Sequence, residues 1–282
     1  MDAEAYRAES RERWERIAPG WEAQREFFRK MTEPVTRWLV DHLQAGPGSR
    51  VLELAAGPGE VGFTLAERLR PDGRLISTDS AEAMVELANE AARERGLEEV
   101  VEARVMDAES IELPTASIDG VLCRWGFMLM ADPGAALRES RRVLKPGGRI
   151  ALATWDVARR NPWSSVVGAE LVQRGLMERP RPGEPGQFAW ADTGVIAEHL
   201  GDAGFTGVEV ETVEFTYEYP DLDTWWDVQL DMGAGARAIV EQMTPAERDD
   251  LRDALDARLQ DYVRDDGTLV MPAAAHVAAA DA

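Results

Sequence analysis

One cysteine, Cys123, in 282 residues leaves no internal disulfide and no thiolate metal cage, and three histidines do not make up the shortfall. Lysine is almost missing as well: Lys30 and Lys145 stand alone, and the arginines that supply the remaining cations build no cluster. Basic residues number 31 against 52 acidic ones, a formal net charge of −21 whose field repels nucleic acid and anionic membrane surfaces. No uncharged apolar run approaches the roughly 18 residues a spanning helix needs, and residues 1–20 carry charge throughout, unlike a signal peptide. These absences predict a soluble, cytoplasmic protein without membrane insertion or nucleic-acid partner. An oligomer remains compatible with them. What is present is a globular balance, 45% hydrophobic and 29% charged, sufficient for one large domain or one domain with insertions.

Apolar spacing predicts helix over residues 6–43, where Trp14, Ile17 and Trp21 recur at three and four, with Pro19-Gly20 expected to break it. Thr32 is expected to cap a second helix that tolerates Pro34 in its first turn. Strands and helices then alternate: strand 50–54, helix 60–70, strand 74–79, helix 81–95, strand 100–106, strand 118–124, helix 134–144, a turn at Pro146-Gly147-Gly148 and strand 149–155. That order demands a mostly parallel sheet. Beyond Asp156 the pattern lapses into an insertion with a Pro/Gly-rich loop at 179–186. Helix 193–203, strand 208–217, helical sequence over 222–262 with a capped start at Thr244, and a last strand over 269–280 complete the chain.

Val51 to Gly62 reads as a strand running into a glycine turn and then a helix. Gly57, Gly59 and Gly62 fit G-x-G-x-x-G, and Asp79 follows at the end of the second strand, where its carboxylate can accept both hydroxyls of a ribose. The pattern suits a dinucleotide and an adenosyl ligand equally, and Asp79 also suits a plain helix cap. Glu53 separates the readings: a carboxylate at the tip of the first strand repels a pyrophosphate and holds an ammonium group. Buried amid Val51, Leu52 and Leu54, it is costly without a partner. Asp107-Ala108 at the end of the third strand offers an acceptor for an adenine amino group.

Glu53-x-Ala55-x-Gly57-x-Gly59, Asp79, Asp107-Ala108 and Leu144-Lys145-Pro146-Gly147-Gly148 together resemble the class I S-adenosylmethionine-dependent methyltransferases. Within them the chain is most similar to the small-molecule branch that includes the ubiquinone and menaquinone C-methyltransferases. The resemblance covers residues 50–155 and is looser outside. It implies an α/β, doubly wound Rossmann-like sheet of about seven strands with the last antiparallel, an N-terminal helical cap over 1–45, and a cofactor domain over 46–282 whose insertions at about 157–190 and 221–266 form a lid. It implies S-adenosylmethionine as cofactor, S-adenosylhomocysteine as product and a small-molecule methyl acceptor as partner. Glu53 would then hold the methionine ammonium, and Ala55, Gly57 and Gly59 would present the loop. Asp79 would bind the ribose, Ser80 and Met84 would flank the adenine, Asp107 and Ala108 would meet its edge, and Arg124 would line the methionine end.

Methyl transfer from a sulfonium needs the acceptor held in line with water excluded, so a dedicated base is optional. His42 and His199 sit on apolar helical faces and read as structural; His276 lies in the last strand without an evident partner. The fourth and fifth strands end in Arg124 and Trp155 rather than acidic metal ligands, which disfavours a metal site. Cys123 reads as core. Nine tryptophans are more informative. Trp125 and Trp155 end strands, while Trp21, Trp225 and Trp226 fall in the cap and insertions that close over the same edge, so an aromatic-lined acceptor pocket is expected, although each also suits plain packing. The alternatives are a nicotinamide oxidoreductase on the same glycine loop and a non-catalytic adenosyl-binding protein.

Overall fold

The computed structural model describes residues 2–282. Three helices come first, α1 (Ala3–Ala23), α2 (Arg25–Met31) and α3 (Glu33–His42). The alternating section follows as β1 (Arg50–Glu53), α4 (Glu60–Leu69), β2 (Arg74–Asp79), α5 (Glu82–Glu94), β3 (Val101–Val105), β4 (Ile118–Arg124), α6 (Pro133–Val143) and β5 (Leu144–Trp155). Helices α7 (Pro162–Gln173) and α8 (Thr193–Asp202) lead to β6 (Thr206–Tyr219). Helices α9 (Leu222–Met232), α10 (Ala234–Gln242) and α11 (Pro245–Leu259) lead to β7 (Leu269–Asp281).

All strands join one seven-stranded sheet in the order β3-β2-β1-β4-β5-β7-β6. Strands β1 to β5 are parallel, and β7 runs antiparallel to both β5 and β6. A parallel sheet covered on both faces needs continuous apolar strands, which Val51-Leu52 and Val121-Leu122-Cys123, all fully buried, supply. Strand β7 meets the same demand with small residues: Ala273, Ala274, Ala275, Ala278, Ala279 and Ala280 are buried where α3, α7 and α8 pack on the strand. The chain reverses its winding between β1 and β4, so the tips of these two strands, Glu53 and Arg124, flank the crevice where doubly wound sheets take their ligands.

Several local expectations fail for identifiable reasons. Pro19-Gly20 does not end the first helix; α1 runs through both to Ala23. Gly20 is needed for a different purpose, because a Cβ there would lie 2.8 Å from the carbonyl carbon of Asp231 on α9. Thr32 precedes α3 but does not cap it with its side chain; its hydroxyl donates back to the Phe28 carbonyl at 2.7 Å. The Pro146-Gly147-Gly148 turn is absorbed into β5, which already pairs Leu144 with Ile118 before a register shift. The stretch after Asp156 holds a regular helix, α7, begun by Pro162 in its first turn. Residues 222–262 divide into three helices, the last started by a full capping box between Thr244 and Glu247.

Candidate cofactor and acceptor site

Glu53 closes β1 and is 2% exposed. Its Oε1 accepts from the Gly62 backbone N–H at 2.8 Å and its Oε2 from the Ser77 hydroxyl at 3.1 Å. Both donors are neutral, and no ion pair reaches this carboxylate among the described residues; Arg25 and Arg95 pair with Glu60 instead. Burial pushes this carboxyl up to about 7, against the pull of those two hydrogen bonds and of the more distant Arg124 charge. A buried anion short of a counter-charge is what an ammonium-bearing ligand would complete. Gly62 explains the close fit: a Cβ there would collide with the Glu53 carboxylate.

The glycine turn follows immediately. Ala55, Gly57 and Gly59 all have positive φ, 49°, 55° and 89°. The left-handed backbone costs a glycine nothing but costs Ala55 on the order of 1 kcal/mol. Trp125, directly after β4, has φ of 61°, so the loops that follow β1 and β4 each carry a strained non-glycine residue. The two loops touch: a Cβ on Gly126 would come within 2.7 Å of the Ala55 methyl.

Asp79 at the tip of β2 ties the turn down. Oδ2 accepts from Gly57 N at 2.9 Å and Oδ1 from Ala81 N at 3.0 Å. A carboxylate has about four acceptor sites, so each oxygen keeps one for a ribose hydroxyl. Tying down the turn and binding a diol are therefore compatible in one residue, whereas the plain helix cap it also suited falls to Glu15. Ser80 is half-buried beside it, while Met84 is 1% exposed in a small cluster with Ala18 and Ala81, against Trp14 and Trp21. Asp107 and Ala108 follow β3, with Asp107 Oδ1 accepting from the Glu109 N–H at 2.8 Å. Arg124 points its guanidinium at α3, donating to Thr32 Oγ1 at 2.7 Å and Thr36 Oγ1 at 3.1 Å.

The tryptophans divide into two sets. Trp125 stacks on Trp155 at 4.0 Å, Trp21 meets Phe28 at 5.1 Å, and Phe28 meets Trp125 at 6.2 Å, forming one aromatic group beside the glycine turn. Trp225, fully buried, spends its indole N–H on the Trp163 carbonyl at 2.9 Å, and Trp226 packs under the Arg252 guanidinium. Those two pack α9 onto the rest of the fold, and among the described residues neither ring pairs directly with Trp21, Trp125 or Trp155.

The N-terminal helices were expected, but the contacts that strap α1 to the rest of the chain carried no signal in the sequence. Tyr6 donates to the Leu129 carbonyl at 3.1 Å and Arg7 pairs with Glu109, whose other oxygen takes the Ala131 N–H. Glu15 accepts from the N–H groups of Glu82 and Ala83, replacing the cap that Ala81 cannot give α5. Exposed charges on a surface helix carry no signal of such long-range partners. His276 also proves well partnered: its ring lies 3.0 Å from Thr212 Oγ1 and 3.2 Å from the Ala191 carbonyl, with Asp156 at 3.4 Å. It joins β6, β7 and the end of β5.

The chain belongs to the class I S-adenosylmethionine-dependent methyltransferases. A family model described as a methyltransferase domain matches residues 45–181. Among relatives, a nocamycin O-methyltransferase of Saccharothrix syringae is 36% identical over 193 residues, covering 65% of this chain and 67% of that protein. A ubiquinone/menaquinone biosynthesis C-methyltransferase of Xanthomonas oryzae is 35% identical over 113 residues, 40% of this chain and 45% of that protein. The match thus spans less than half of the latter's length. A putative methyltransferase from Bacillus halodurans shares the fold, with a TM-score of 0.59 at 18% identity over 87% of this chain and 97% of that one.

Proposed function

We propose that this chain transfers the methyl group of S-adenosylmethionine to a small, apolar or aromatic acceptor without a metal ion, through positioning and exclusion of water. The cofactor, when bound, supplies an electrophilic methyl on a sulfonium. The observation that carries the reading is Glu53, a buried carboxylate surrounded by neutral donors at the switch point of the sheet. It would hold the ammonium of the methionine end, with Arg124 beyond it. Ala55, Gly57 and Gly59 would bring backbone close to the ligand, Asp79 would orient the ribose, and Ser80, Met84, Asp107 and Ala108 would enclose the adenine. Residues 1–45 would act as a cap and the two insertions as a lid. Trp21, Trp125 and Trp155 would keep water from the transfer path, in a space where orienting two reactants is worth roughly 7–11 kcal/mol.

Calorimetric titration tests this directly: S-adenosylmethionine and S-adenosylhomocysteine should both bind, and NADH should not. Absence of binding by either adenosyl ligand, or tight binding of NADH, overturns the proposal. In the same assay Asp79→Ala should weaken the cofactor by about 1.5–3 kcal/mol, the range for hydrogen bonds to a charged group. It should also lower thermal stability, because Gly57 and Ala81 lose their acceptor. Asp79→Asn, which keeps one acceptor oxygen, should fall between.

A further inference from the structure

The aromatic group at the end of β4 carries a surplus of hydrogen-bond donors. Phe28 meets Tyr217 at 5.7 Å, Tyr217 stacks on Trp163 at 4.1 Å and on Tyr219 at 6.1 Å, and Trp163 meets Trp155 at 5.1 Å. Tyr217 and Tyr219 are fully buried and Trp125 is 7% exposed. Yet Trp125 Nε1, Trp21 Nε1 and both tyrosine hydroxyls have no hydrogen-bond partner among the described residues. Buried polar groups are nearly always paired, and leaving one unpaired costs about 1–3 kcal/mol, so four in one group call for a reason. The neighbouring indoles show that pairing is attainable: Trp163 Nε1 reaches Asn161 Oδ1 at 3.3 Å and Trp225 Nε1 reaches a carbonyl.

The unpaired set is one-sided in its chemistry. An indole N–H only donates, a phenol readily donates, and the Arg124 guanidinium, 4.7 Å from the Trp125 ring centre, adds positive charge. Thr32 and Thr36 hold that guanidinium without neutralising it, and Glu53 and Glu60 act on it only at longer range. A ligand that completes such a group must bring oxygen lone pairs on a flat ring; an amine would bring more donors.

We infer that Trp125, Tyr217 and Tyr219, with Arg124 behind them, bind the methyl acceptor, and that they take a flat conjugated molecule through an oxygen that accepts hydrogen bonds. A phenol, an enol or a ring carbonyl meets that description. The inference rests on the methyl-transfer reading and adds to it the two tyrosines of β6 and the polarity of the acceptor. The group adjoins the glycine turn through the close approach of Gly126, next to Trp125, to Ala55.

Fluorescence titration of the full chain, saturated with S-adenosylhomocysteine, with 2-naphthol and with naphthalene separates the polar contribution from the stacking one. Wild type should prefer 2-naphthol by at least about tenfold, as a site built to pair a ring oxygen must. Tyr217→Phe and Trp125→Phe should each narrow the preference to within about threefold. Tyr217→Phe should keep or raise the melting temperature, since it removes an unpaired hydroxyl and keeps the ring. No binding of 2-naphthol, equal binding of the two probes, or a preference that survives both substitutions overturns the inference; in the last case ordered water satisfies these atoms. Loss of S-adenosylhomocysteine binding in wild type sinks the methyl-transfer reading instead, and calorimetry reports that separately.

Discussion

Glu53→Gln should raise the stability of the ligand-free protein above pH 7 while lowering its affinity for S-adenosylmethionine by about a hundredfold. The two effects have one origin. Glutamine keeps an acceptor for the Gly62 N–H and turns its amide toward Ser77, whose hydroxyl can reverse its role, so the packing survives. The substitution removes a charge that burial disfavours. In the wild type the carboxyl is held at about 7, above its value in an unfolded chain. The folded state therefore binds the extra proton between those two values, and Glu53 loses stability for the protein as pH rises through that window. Above pH 7 the cost of keeping it ionised approaches about 3 kcal/mol, which the glutamine variant avoids. Cofactor binding follows the opposite sign. Only the ionised form attracts an ammonium, so wild-type affinity should fall about tenfold per pH unit below 7 and level off above it. The variant should show neither the slope nor the plateau. Chemical denaturation at pH 6 and pH 8, with calorimetry across the same range, reads both; a variant that binds the cofactor normally would leave Glu53 without a ligand role.

Much of the framework was legible because single residue types decided it. Strands β2 and β4 fall at their expected ends, since Asp79 and Arg124 close apolar runs abruptly. The last strand was read from the pattern but its antiparallel direction came from the resemblance; a run of alanines has little β-character of its own, and its partners on both sides fix it as a strand. Helix α7 was hidden because Asn161-Pro162-Trp163 looks like a loop, whereas a proline in the first turn is a helix start. At the site, Glu53, Asp79 and the glycines declared themselves through spacing. Tyr217 and Tyr219 did not, because aromatic residues alternating along a strand read first as ordinary β-sequence. Only their unpaired hydroxyls distinguish them, and hydroxyl pairing is a tertiary property.

Gly20 lets α1 cross closely over α9, and Gly20→Ala is expected to destabilise the protein by about 2–3 kcal/mol and, if α1 caps the cofactor as proposed, to speed cofactor release. Helix propensity argues the other way, since alanine in a helix gains up to about 1 kcal/mol over glycine. The local geometry outweighs it. The new methyl would run into the Asp231 carbonyl, with the carbonyl carbon at 2.8 Å and the Cα at 3.1 Å, and all of these are backbone atoms of α9. No rotamer change relieves a clash with backbone, so α1 and α9 must part, and overpacking of this kind typically costs 1–3 kcal/mol. Gln24, which donates to Asp231 at 2.8 Å, loses its partner in the same movement. Once that end of α1 lifts, more of the load falls on its other attachments, among them Tyr6 on Leu129, Arg7 on Glu109 and Glu15 on the start of α5. Gly168→Ala supplies the contrast within the same fold. Its new methyl in α7 would find Met177 sulfur at 4.0 Å, an ordinary contact, so propensity acts unopposed and the urea midpoint should rise. Opposite shifts in midpoint for the two substitutions, with faster S-adenosylhomocysteine dissociation in Gly20→Ala alone, would tie the strap to ligand retention. A neutral Gly20→Ala would mean that α1 and α9 do not cross this closely in solution.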